Sequence, residues 1–294
     1  MSTALTDPGP ADAVIIPHYN DLPRLKRCLR ALMENDIANT EIMVVDNASP
    51  VSLDGISQAF PQVRFITESQ KGAAHARNRG VAETTAQRLF FIDADCVPES
   101  DWLTVGREIA NRADLIGGRV DVFDETPPPR SGAEAFEAVF AFNFRRYIEV
   151  QGFSGAGNLL TRRDVFDAIG GFINGVSEDR EWTMRAVSRG YSLIYEDRFK
   201  VSHPSRQDWP ALKTKWRRTT QEAYQLNGGG LAARLRWALR GLAMPASAVV
   251  HTPKILASRK LVSPGETLKA VVTLIRLRCT RMIWMLRQAI GGKI

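Results

Sequence analysis

The feature that most constrains the fold is a repeated change of hydrophobic pattern within the first hundred residues. Short apolar runs bounded by polar segments are typical of strands that are buried on both faces. Such runs occupy residues 13–17, 42–46, 63–66 and 89–93. Segments with helical spacing separate them, and the clearest of these follows Asp21 and Pro23. This alternation predicts an α/β fold with a Rossmann-like, mostly parallel central sheet flanked by helices.

The middle of the chain continues with a mixed pattern of elements. The spacing predicts strands at residues 115–123 and 192–196 and helices at 133–150, 163–169 and 178–188. Asp208 and Pro210 are suited to the start of a further helix. The run Asn227-Gly-Gly-Gly230 is the most plausible linker.

Three of the predicted strands end in polar residues. The first ends in His18-Tyr19-Asn20, the second in Asp46-Asn47, and the fourth in Asp93-Ala94-Asp95. In open α/β sheets, ligands bind beyond the carboxyl ends of the parallel strands. One such group would serve as a cap, whereas three together predict the rim of a site.

Asp93 and Asp95 form the strongest single motif. Carboxylates at positions i and i+2, where a buried strand breaks into a loop, can converge on one hard cation such as Mg²⁺ or Mn²⁺. A departing diphosphate needs such a cation to neutralise its developing charge. The pair alone also occurs in solvated turns, so the motif needs support from its surroundings.

That support comes from the segment between residues 71 and 80, which combines glycine and small residues with several cations. Such a loop can approach a nucleotide closely, and the guanidinium of Arg77 suits a phosphate group. The segment is not a P-loop, and no Gly-x-Gly-x-x-Gly follows the first strand.

Read together, these motifs resemble the inverting glycosyltransferases of family 2, which have the GT-A fold. The resemblance covers roughly residues 13–205 and rests on segments that occur in the family's order. They are Val14-Ile-Ile-Pro-His-Tyr-Asn20, Val44-Val-Asp-Asn-Ala-Ser49, Gly72-Ala-Ala-His-Ala-Arg-Asn78, Phe91-Ile-Asp-Ala-Asp95, Gly155-Ala-Gly-Asn158, Gly170-Gly-Phe172, Glu178-Asp179 and Val201-Ser-His203.

The resemblance implies a set of donor-binding residues. Those expected around the nucleotide and the transferred sugar are Pro17, Tyr19, Asn20, Asp46, Arg77, Asp93 and Asn158. Pro17 and Tyr19 match the loop beside the nucleobase, and Asp46 matches the carboxylate on the base or ribose. Arg77 matches the residue near the nucleotide, and Asp93 matches the ribose contact. The expected donor is a nucleotide-diphosphate sugar, with a UDP-sugar as the first expectation.

The resemblance also implies the catalytic and metal-binding residues. Asp179 matches the general base, and Glu178 would position the acceptor or the base. Asp95 and His203 match the ligands of Mn²⁺ or Mg²⁺. Direct displacement at an anomeric carbon needs both a base for the acceptor hydroxyl and charge stabilisation on the diphosphate. The competing interpretation of Glu178 and Asp179 is that acids at a helix start only cap it.

The chain departs from the processive members of the family. No Gln-x-x-Arg-Trp follows the Glu-Asp pair, and no apolar run approaches the ~20 residues needed to span a bilayer. We therefore expect transfer of a single sugar, to a lipid-linked saccharide or cell-surface polysaccharide precursor, rather than polymer synthesis.

The net charge of +7 divides unevenly along the chain. Residues 227–294 carry 12 Lys and Arg and one acid, a charge of +11, whereas residues 1–226 carry −4. We predict a catalytic domain over 1–226 and a basic amphipathic helical extension over 227–294. Four interpretations of this extension compete: packing onto the catalytic domain, attachment to an anionic membrane surface, self-association and nucleic-acid binding. Trp237 and Trp284 favour the membrane surface, and nucleic-acid binding ranks last because no recognition motif accompanies the charge.

The remaining composition places the chain in the cytoplasm. The three cysteines, Cys28, Cys96 and Cys279, are far apart and predict free thiols, and the polar first residues lack a signal-peptide pattern. With the basic extension, this predicts a peripheral protein at the inner face of the cell membrane. We expect no nucleic-acid partner.

Two other functional classes stay open on the sequence. A non-catalytic nucleotide-sugar or glycan-binding module would share the donor motifs but lack turnover. A nucleotidyltransferase shares the α/β layout but places a glycine-rich loop ending in Arg after its first strand, where this chain has Pro17-His-Tyr-Asn20.

Overall fold

A computed structural model describes residues 9–175 and 177–294. The expectation for the polar N-terminal segment falls on residues 1–8 and so lies outside the described part. The strands, in chain order, are β1 Asp12–His18, β2 Thr40–Asp46, β3 Val63–Thr67, β4 Arg88–Ile92, β5 Val97–Pro98, β6 Leu115–Phe123, β7 Asn158–Arg162 and β8 Leu193–Pro204.

The helices alternate with these strands in the first part of the chain and then follow one another. They are α1 Leu22–Leu32, α2 Asp54–Ala59, α3 Ala73–Ala82, α4 Trp102–Ile109, α5 Gly132–Phe140, α6 Phe144–Glu149, α7 Arg163–Ile169, α8 Glu178–Ser188, α9 Trp209–Gln225, α10 Leu231–Leu242, α11 Met244–Leu256 and α12 Pro264–Ala289.

The described residues form one eight-stranded sheet in the order β3-β2-β1-β4-β7-β6-β8-β5. The first four strands of this order pair in parallel, whereas β7 runs antiparallel to both β4 and β6, and β5 runs antiparallel to β8. The predicted α/β class and parallel pairing hold for the first hundred residues. The second half is antiparallel because its strands are not joined by successive βαβ crossovers.

The chain divides into two compact units, of which the first contains the residues up to Asp121 and Asn143–His203. Its core packs apolar side chains from the strands against α3, α7 and α8, with Trp182 fully buried among Phe166 and Phe172. Burial of apolar side chains is the main favourable contribution to the free energy of folding of such a domain. The carboxyl ends of the parallel strands β1 to β4 therefore lie on a well-packed core.

Two predicted elements differ from the structure. The single helix expected over 133–150 is two helices, because Phe142 adopts φ +51° and the side chain of Asn143 accepts the backbone N–H of Arg146 to start α6. The last strand is longer than the predicted 192–196 and carries His203.

The second unit contains Val122–Phe142 and Pro204–Ile294 and is mainly helical. Its core joins α5 and α9 to α11 and α12 through Phe136, Leu212, Ile255, Leu274 and Leu277. The basic extension thus shares a core with residues that precede position 227. The predicted boundary between 226 and 227 stays a prediction, and the compact units are divided at other positions.

The buried faces of α10 and α12 differ from the predicted apolar stripes. On α10 the buried residues are Ala233, Trp237 and Gly241. The predicted stripe is Leu231, Leu235, Ala238, Leu239 and Leu242, and its four leucines are exposed while Ala238 is half-buried. On α12 the predicted stripe runs through Leu268, Val271, Ile275, Cys279, Met282, Leu286 and Ala289, whereas the buried residues are Glu266, Ala270, Thr273, Leu274, Leu277, Arg281, Met285 and Gln288.

The reason is that polar residues on the buried faces find partners inside the second unit. The indole N–H of Trp237 donates to Gln288 Oε1 at 3.1 Å, and Arg281 Nε donates to Thr220 Oγ1 at 3.3 Å. A buried polar group that keeps a hydrogen bond loses little free energy on folding, so a polar side chain can face the core. Trp237 is therefore not a surface anchor. None of the described helices is both long and apolar enough to cross a bilayer.

Candidate functional site

The candidate site lies at the carboxyl ends of β1, β2 and β4 in the first unit. The parallel register aligns His18 with Asp46, so the polar ends of these neighbouring strands meet at one edge. β4 ends at Ile92, directly before Asp93 and Asp95. The sequence-based rim of polar strand ends is thus brought together by the sheet itself.

Asp46 is held by a small hydrogen-bond network. His18 Nδ1 lies 2.9 Å from Asp46 Oδ1, and the backbone N–H of Asp21 donates to His18 Nε2 at 3.1 Å. Because Nε2 accepts a bond, Nδ1 carries the proton and donates it to Asp46. Ser49 adds its backbone N–H and its hydroxyl to the same carboxylate. Sequence reasoning gave His18 no role, although its place at a strand end was the available signal.

The loop that follows His18 is exposed to solvent. Tyr19 is 55% exposed, and Asn20 is exposed with φ +50°. The backbone N–H of Asn20 donates to Ser49 Oγ at 2.8 Å, which ties the loop to the Asp46 network. Pro17, half-buried at the end of β1, precedes it. This arrangement leaves the aromatic ring of Tyr19 free to contact a planar group.

Arg77 links the two acidic motifs of the site. It lies on α3, is 4% exposed, and donates to Asp93 Oδ1 at 2.7 Å and to Glu178 Oε1 at 2.9 Å. Its Nε is buried without a partner among the described residues. Both terminal nitrogens thus hold carboxylates that are 16 and 101 residues away in sequence. The predicted contact of Arg77 with a nucleotide stays a prediction.

Asn78, next to Arg77, binds the backbone of Phe172. Its side chain accepts the N–H of Phe172 and donates to the carbonyl of Phe172, each at 2.8 Å. The Arg77 guanidinium lies 5.7 Å from the centre of the Phe172 ring. This contact explains why the motifs at 72–78 and 170–172 occur together.

We expect Arg77→Met to destabilise the protein by about 2–3 kcal/mol, because Asp93 and Glu178 lose their shared cation. The figure lies below that of a fully buried pair, since the Asp93 side chain is 37% exposed. Arg79→Met is the matched control, because Arg79 is exposed and pairs with Glu83 on the same helix. Urea unfolding measures both variants, and equal losses would contradict the bridging role of Arg77.

Asp179 lies at the start of α8 with its carboxylate oriented by the backbone. Its Oδ1 accepts the N–H of Arg180 at 2.7 Å and the hydroxyl of Ser177 at 3.3 Å. Burial raises the pKa of Asp179, and the neighbouring Glu178 carboxylate raises the pKa further, while Arg77 opposes the shift. A raised pKa makes the carboxylate a stronger base.

The loop at 155–157 packs against both acidic motifs. A Cβ atom on Gly155 would lie 3.3 Å from Asp179 Oδ2, and one on Gly157 would lie 2.8 Å from Asp93 Oδ2. Glycine at position 157 therefore lets the backbone approach Asp93 more closely than a side chain would allow. The loop thus brings Asp93 and Asp179 to the two sides of one short segment.

Asn158 has a setting different from the one expected. It is fully buried, its Oδ1 accepts the indole N–H of Trp102, and its Nδ2 donates to the carbonyls of Arg119 and Phe199. These bonds join α4, β6 and β8 beneath the site. Asn158 thus supports the sheet, and its predicted contact with the transferred sugar stays a prediction.

Asp95 and His203 are brought together by an antiparallel pair. Val97 on β5 pairs with Ser202 on β8, which places His203 beside the loop that carries Asp95. His203 Nε2 lies 3.2 Å from Asp95 Oδ2. A carboxylate and an imidazole form a donor set that suits Mn²⁺.

The protein alone would supply a partial coordination shell. Over residues 9–175 and 177–294, no three His, Cys, Asp or Glu side chains are grouped to hold a metal. Divalent cations that act on phosphates usually keep one or two protein ligands and complete their shell with phosphate oxygens and water. The Asp95–His203 pair fits that description.

The three cysteines form no disulfide. Cys28, Cys96 and Cys279 are free, as expected. Burial raises the pKa of both Cys28 and Cys96, and the carboxylates of Asp95 and Asp93 raise it further. Neither thiol is thus primed as a nucleophile.

Comparisons with known proteins find a matching family model and several similar chains. Residues 13–170 match the model of glycosyl transferase family 2. The chain is 30% identical over 224 residues to the glycosyltransferase AglE of Haloferax volcanii, covering 72% of this chain and 73% of that protein. It is 26% identical to the pre-mycofactocin glycosyltransferase of Mycobacterium tuberculosis over 68% of this chain, but spans only 44% of that relative.

A solved structure shares the fold. The mannosyltransferase PcManGT of Pyrobaculum calidifontis, solved with GDP-Man and Mn²⁺, superposes with a TM-score of 0.54 at 17% identity. The match covers 97% of this chain and 77% of that one. At this identity the likeness shows the fold, and it confirms the expected GT-A architecture.

Proposed function

Because the chain belongs to glycosyl transferase family 2, we propose that this glycosyltransferase moves one sugar from a nucleoside-diphosphate sugar to a hydroxyl acceptor with inversion. The observation that carries the proposal is the joining of Asp93 and Glu178 by one buried arginine, with Asp179 beside Glu178. A donor-side carboxylate and a candidate base thereby face one space. In an inverting displacement the nucleophile attacks from the face opposite the leaving group, so we expect the base and the diphosphate on opposite sides of the reacting carbon.

The donor would lie along the strand ends. Tyr19 and Asn20 border the expected nucleobase position, with Pro17 below them and the Asp46 carboxylate positioned for the base or ribose. Asp93 would accept a ribose hydroxyl while Arg77 holds its other oxygen in place. PcManGT was solved with a nucleoside-diphosphate sugar. We propose the same donor class here, with the nucleobase and sugar left to experiment.

Asp95 and His203 would hold a Mn²⁺ or Mg²⁺ ion against the donor diphosphate. When bound, such an ion neutralises the charge that develops on the departing diphosphate. The support for the proposal is the 3.2 Å approach of the two side chains and the chemistry of the donor pair. PcManGT also holds Mn²⁺ in its solved complex.

Asp179 would act as the general base. It takes the proton of the acceptor hydroxyl as the acceptor oxygen forms a bond to the anomeric carbon and the bond from that carbon to the diphosphate oxygen breaks. The backbone N–H of Arg180 holds Asp179 Oδ1 at 2.7 Å. Its other oxygen, Oδ2, lies 3.3 Å from where a Cβ on Gly155 would be, so the carboxylate lies against the 155–157 loop. Glu178, tied to Arg77, would position this base.

The stereochemical outcome tests this mechanism. Proton NMR of the sugar released or transferred from an α-linked donor should show the β-anomer before mutarotation. Early formation of the α-anomer would contradict a single displacement with Asp179 as base.

We further propose a peripheral position on an anionic membrane, which would suit a lipid-linked acceptor. The second unit exposes a row of leucines on α10, with Leu231 83%, Leu235 62% and Leu239 57% exposed. These residues occur at helical spacing and are flanked by Arg234, Arg236 and Arg240. Apolar side chains with basic neighbours suit the headgroup region of a bilayer.

We expect Leu235→Glu to lower the fraction bound to anionic vesicles about tenfold, because one inserted leucine is lost and a repelled charge is added. Val150→Glu is the matched control, since Val150 is 67% exposed and lies in the first unit. Vesicle co-sedimentation measures both variants. An equal response, or binding by neither variant nor the parent chain, would contradict membrane attachment through α10.

A further inference from the structure

The second unit contains a cavity that the transfer chemistry does not use. It has a volume of about 450 Å³, within the range of small-molecule sites. Its lining comes from α9, from the end of α12 and from the residues after it, namely Lys213, Arg217, Trp284, Arg287, Lys293 and Ile294. Four of these six residues are cationic, and no acidic side chain lines the cavity.

The charges around the four cations decide what the cavity can bind. In the part of the chain that the structure describes, no ion pair involves Lys213, Arg217, Arg287 or Lys293. The acids of residues 204–294 are engaged elsewhere: Asp208 caps α9, Glu222 faces Arg218, and Glu266 binds Arg130. Like charges gathered around one cavity raise its affinity for an anion.

The walls of the cavity are fixed by backbone contacts. The N–H of Gly292 donates to the carbonyl of Arg287 at 2.8 Å, and Gln221 Nε2 donates to the carbonyl of Ile294 at 2.7 Å. A Cβ on Gly292 would lie 2.6 Å from Arg287 Cγ. The absence of a side chain at position 292 thus sets the path of the Arg287 side chain.

We propose that this cavity binds a phosphate or diphosphate group. The guanidinium groups of Arg217 and Arg287 match phosphate oxygens in a forked geometry, and Lys213 and Lys293 add charge. The half-buried indole of Trp284 provides a wall for the apolar part of the ligand. The ligand is either a soluble phosphate compound or the headgroup of an anionic lipid, since both present the same chemistry.

The test compares two double variants with equal loss of charge. Arg217→Gln/Arg287→Gln removes two cations of the cavity, whereas Arg259→Gln/Lys260→Gln removes two cations that are likewise exposed but do not line it. Calorimetry with inorganic pyrophosphate in EDTA measures the soluble ligand without the metal that the donor site is proposed to need. We expect the first variant to weaken binding at least about a hundredfold and the second to leave it near the parent value.

A second arm uses vesicles of phosphatidylcholine with phosphatidic acid. Selective loss of vesicle binding by Arg217→Gln/Arg287→Gln, without pyrophosphate binding by the parent chain, assigns the site to a lipid headgroup. Selective loss in the calorimetric arm assigns it to soluble phosphates. Equal responses of the two double variants in both arms, or no phosphate-dependent binding in either, would overturn the proposal.

Gly292→Ala adds a variant without change of charge. Its Cβ displaces the Arg287 side chain, so pyrophosphate or vesicle affinity should fall about tenfold, the loss of one charge-assisted hydrogen bond. Donor hydrolysis stays at the parent rate in all these variants, because none of the changed residues lies in the candidate catalytic site. Unchanged affinity in Gly292→Ala would contradict a contact between Arg287 and the phosphate.

Discussion

Asp179→Asn is expected to lower the transfer rate by about 10²–10⁴-fold while leaving nucleotide affinity near that of the parent chain. The amide keeps the bonds from Arg180 and Ser177 to Oδ1, but it cannot take a proton. Steady-state kinetics with titration of the nucleotide measures the two effects separately. Glu181→Gln is the control on the same helix, because Glu181 pairs with Arg185 away from the site.

The same variant should be more stable than the parent at neutral pH. Burial raises the pKa of Asp179 in the folded state, so the charged form is disfavoured by folding. The stability contribution of such a group is present below its unfolded pKa and is lost as pH rises through the folded pKa. Asn cannot become charged, so the thermal midpoint should rise at pH 7, with the gain shrinking on acidification. Lower stability together with full activity would contradict the assignment of Asp179.

Asp95→Asn should lower metal-dependent turnover about a thousandfold, because a metal at a departing phosphate contributes several kcal/mol. Its nucleotide affinity in Mn²⁺ should fall to the value that the parent chain shows in EDTA. Glu99→Gln is the matched control, since Glu99 is 46% exposed in its side chain and pairs with Lys200. Isothermal titration and a turnover assay across Mn²⁺ concentrations measure these effects.

Retained Mn²⁺ dependence in Asp95→Asn would contradict the metal assignment. A loss confined to stability would also do so, because a structural role for the Asp95–His203 pair predicts equal effects with and without metal. His203→Gln provides the second variant, and it should shift the Mn²⁺ dependence in the same direction as Asp95→Asn.

Local patterns predicted the first half of the fold and several elements beyond it. The apolar runs that became β1 to β4 are short and bounded by polar residues, and α7 and α8 have the bounds read from helical spacing. The Asp93–Asp95 motif was visible because it follows a buried strand. In each case, residues close in sequence carried the information.

The remainder depends on partners that are distant in sequence. The bridge from Arg77 to Glu178 joins residues 101 positions apart, and the β5–β8 pair brings Asp95 to His203. Asn158 looked like part of a sugar-binding loop, but its bonds to Trp102, Arg119 and Phe199 bury it. The spacing of residues within one helix or strand does not predict contacts between residues so far apart in sequence.

The orientation of the last helices was not predictable for a related reason. Apolar stripes normally face a core, yet the leucines of α10 are exposed and Trp237 faces inward. Gln288 and Thr220 provide the partners that allow Trp237 and Arg281 to be buried. Those partners lie 51 and 61 residues away, so the sequence pattern alone favoured the wrong face.

The central claim is that the site formed by Asp93, Asp95, Asp179 and His203 transfers sugar from a nucleoside-diphosphate donor. Its most direct test is release of nucleoside diphosphate from a panel of UDP-, GDP- and dTDP-sugars, with Mn²⁺ and with EDTA. We expect turnover of at least one donor that depends on metal and that falls about a thousandfold in Asp95→Asn and about 10²–10⁴-fold in Asp179→Asn. Nucleotide binding without turnover of any donor, with or without glycan or lipid-linked acceptors, would contradict it and favour a non-catalytic binding module.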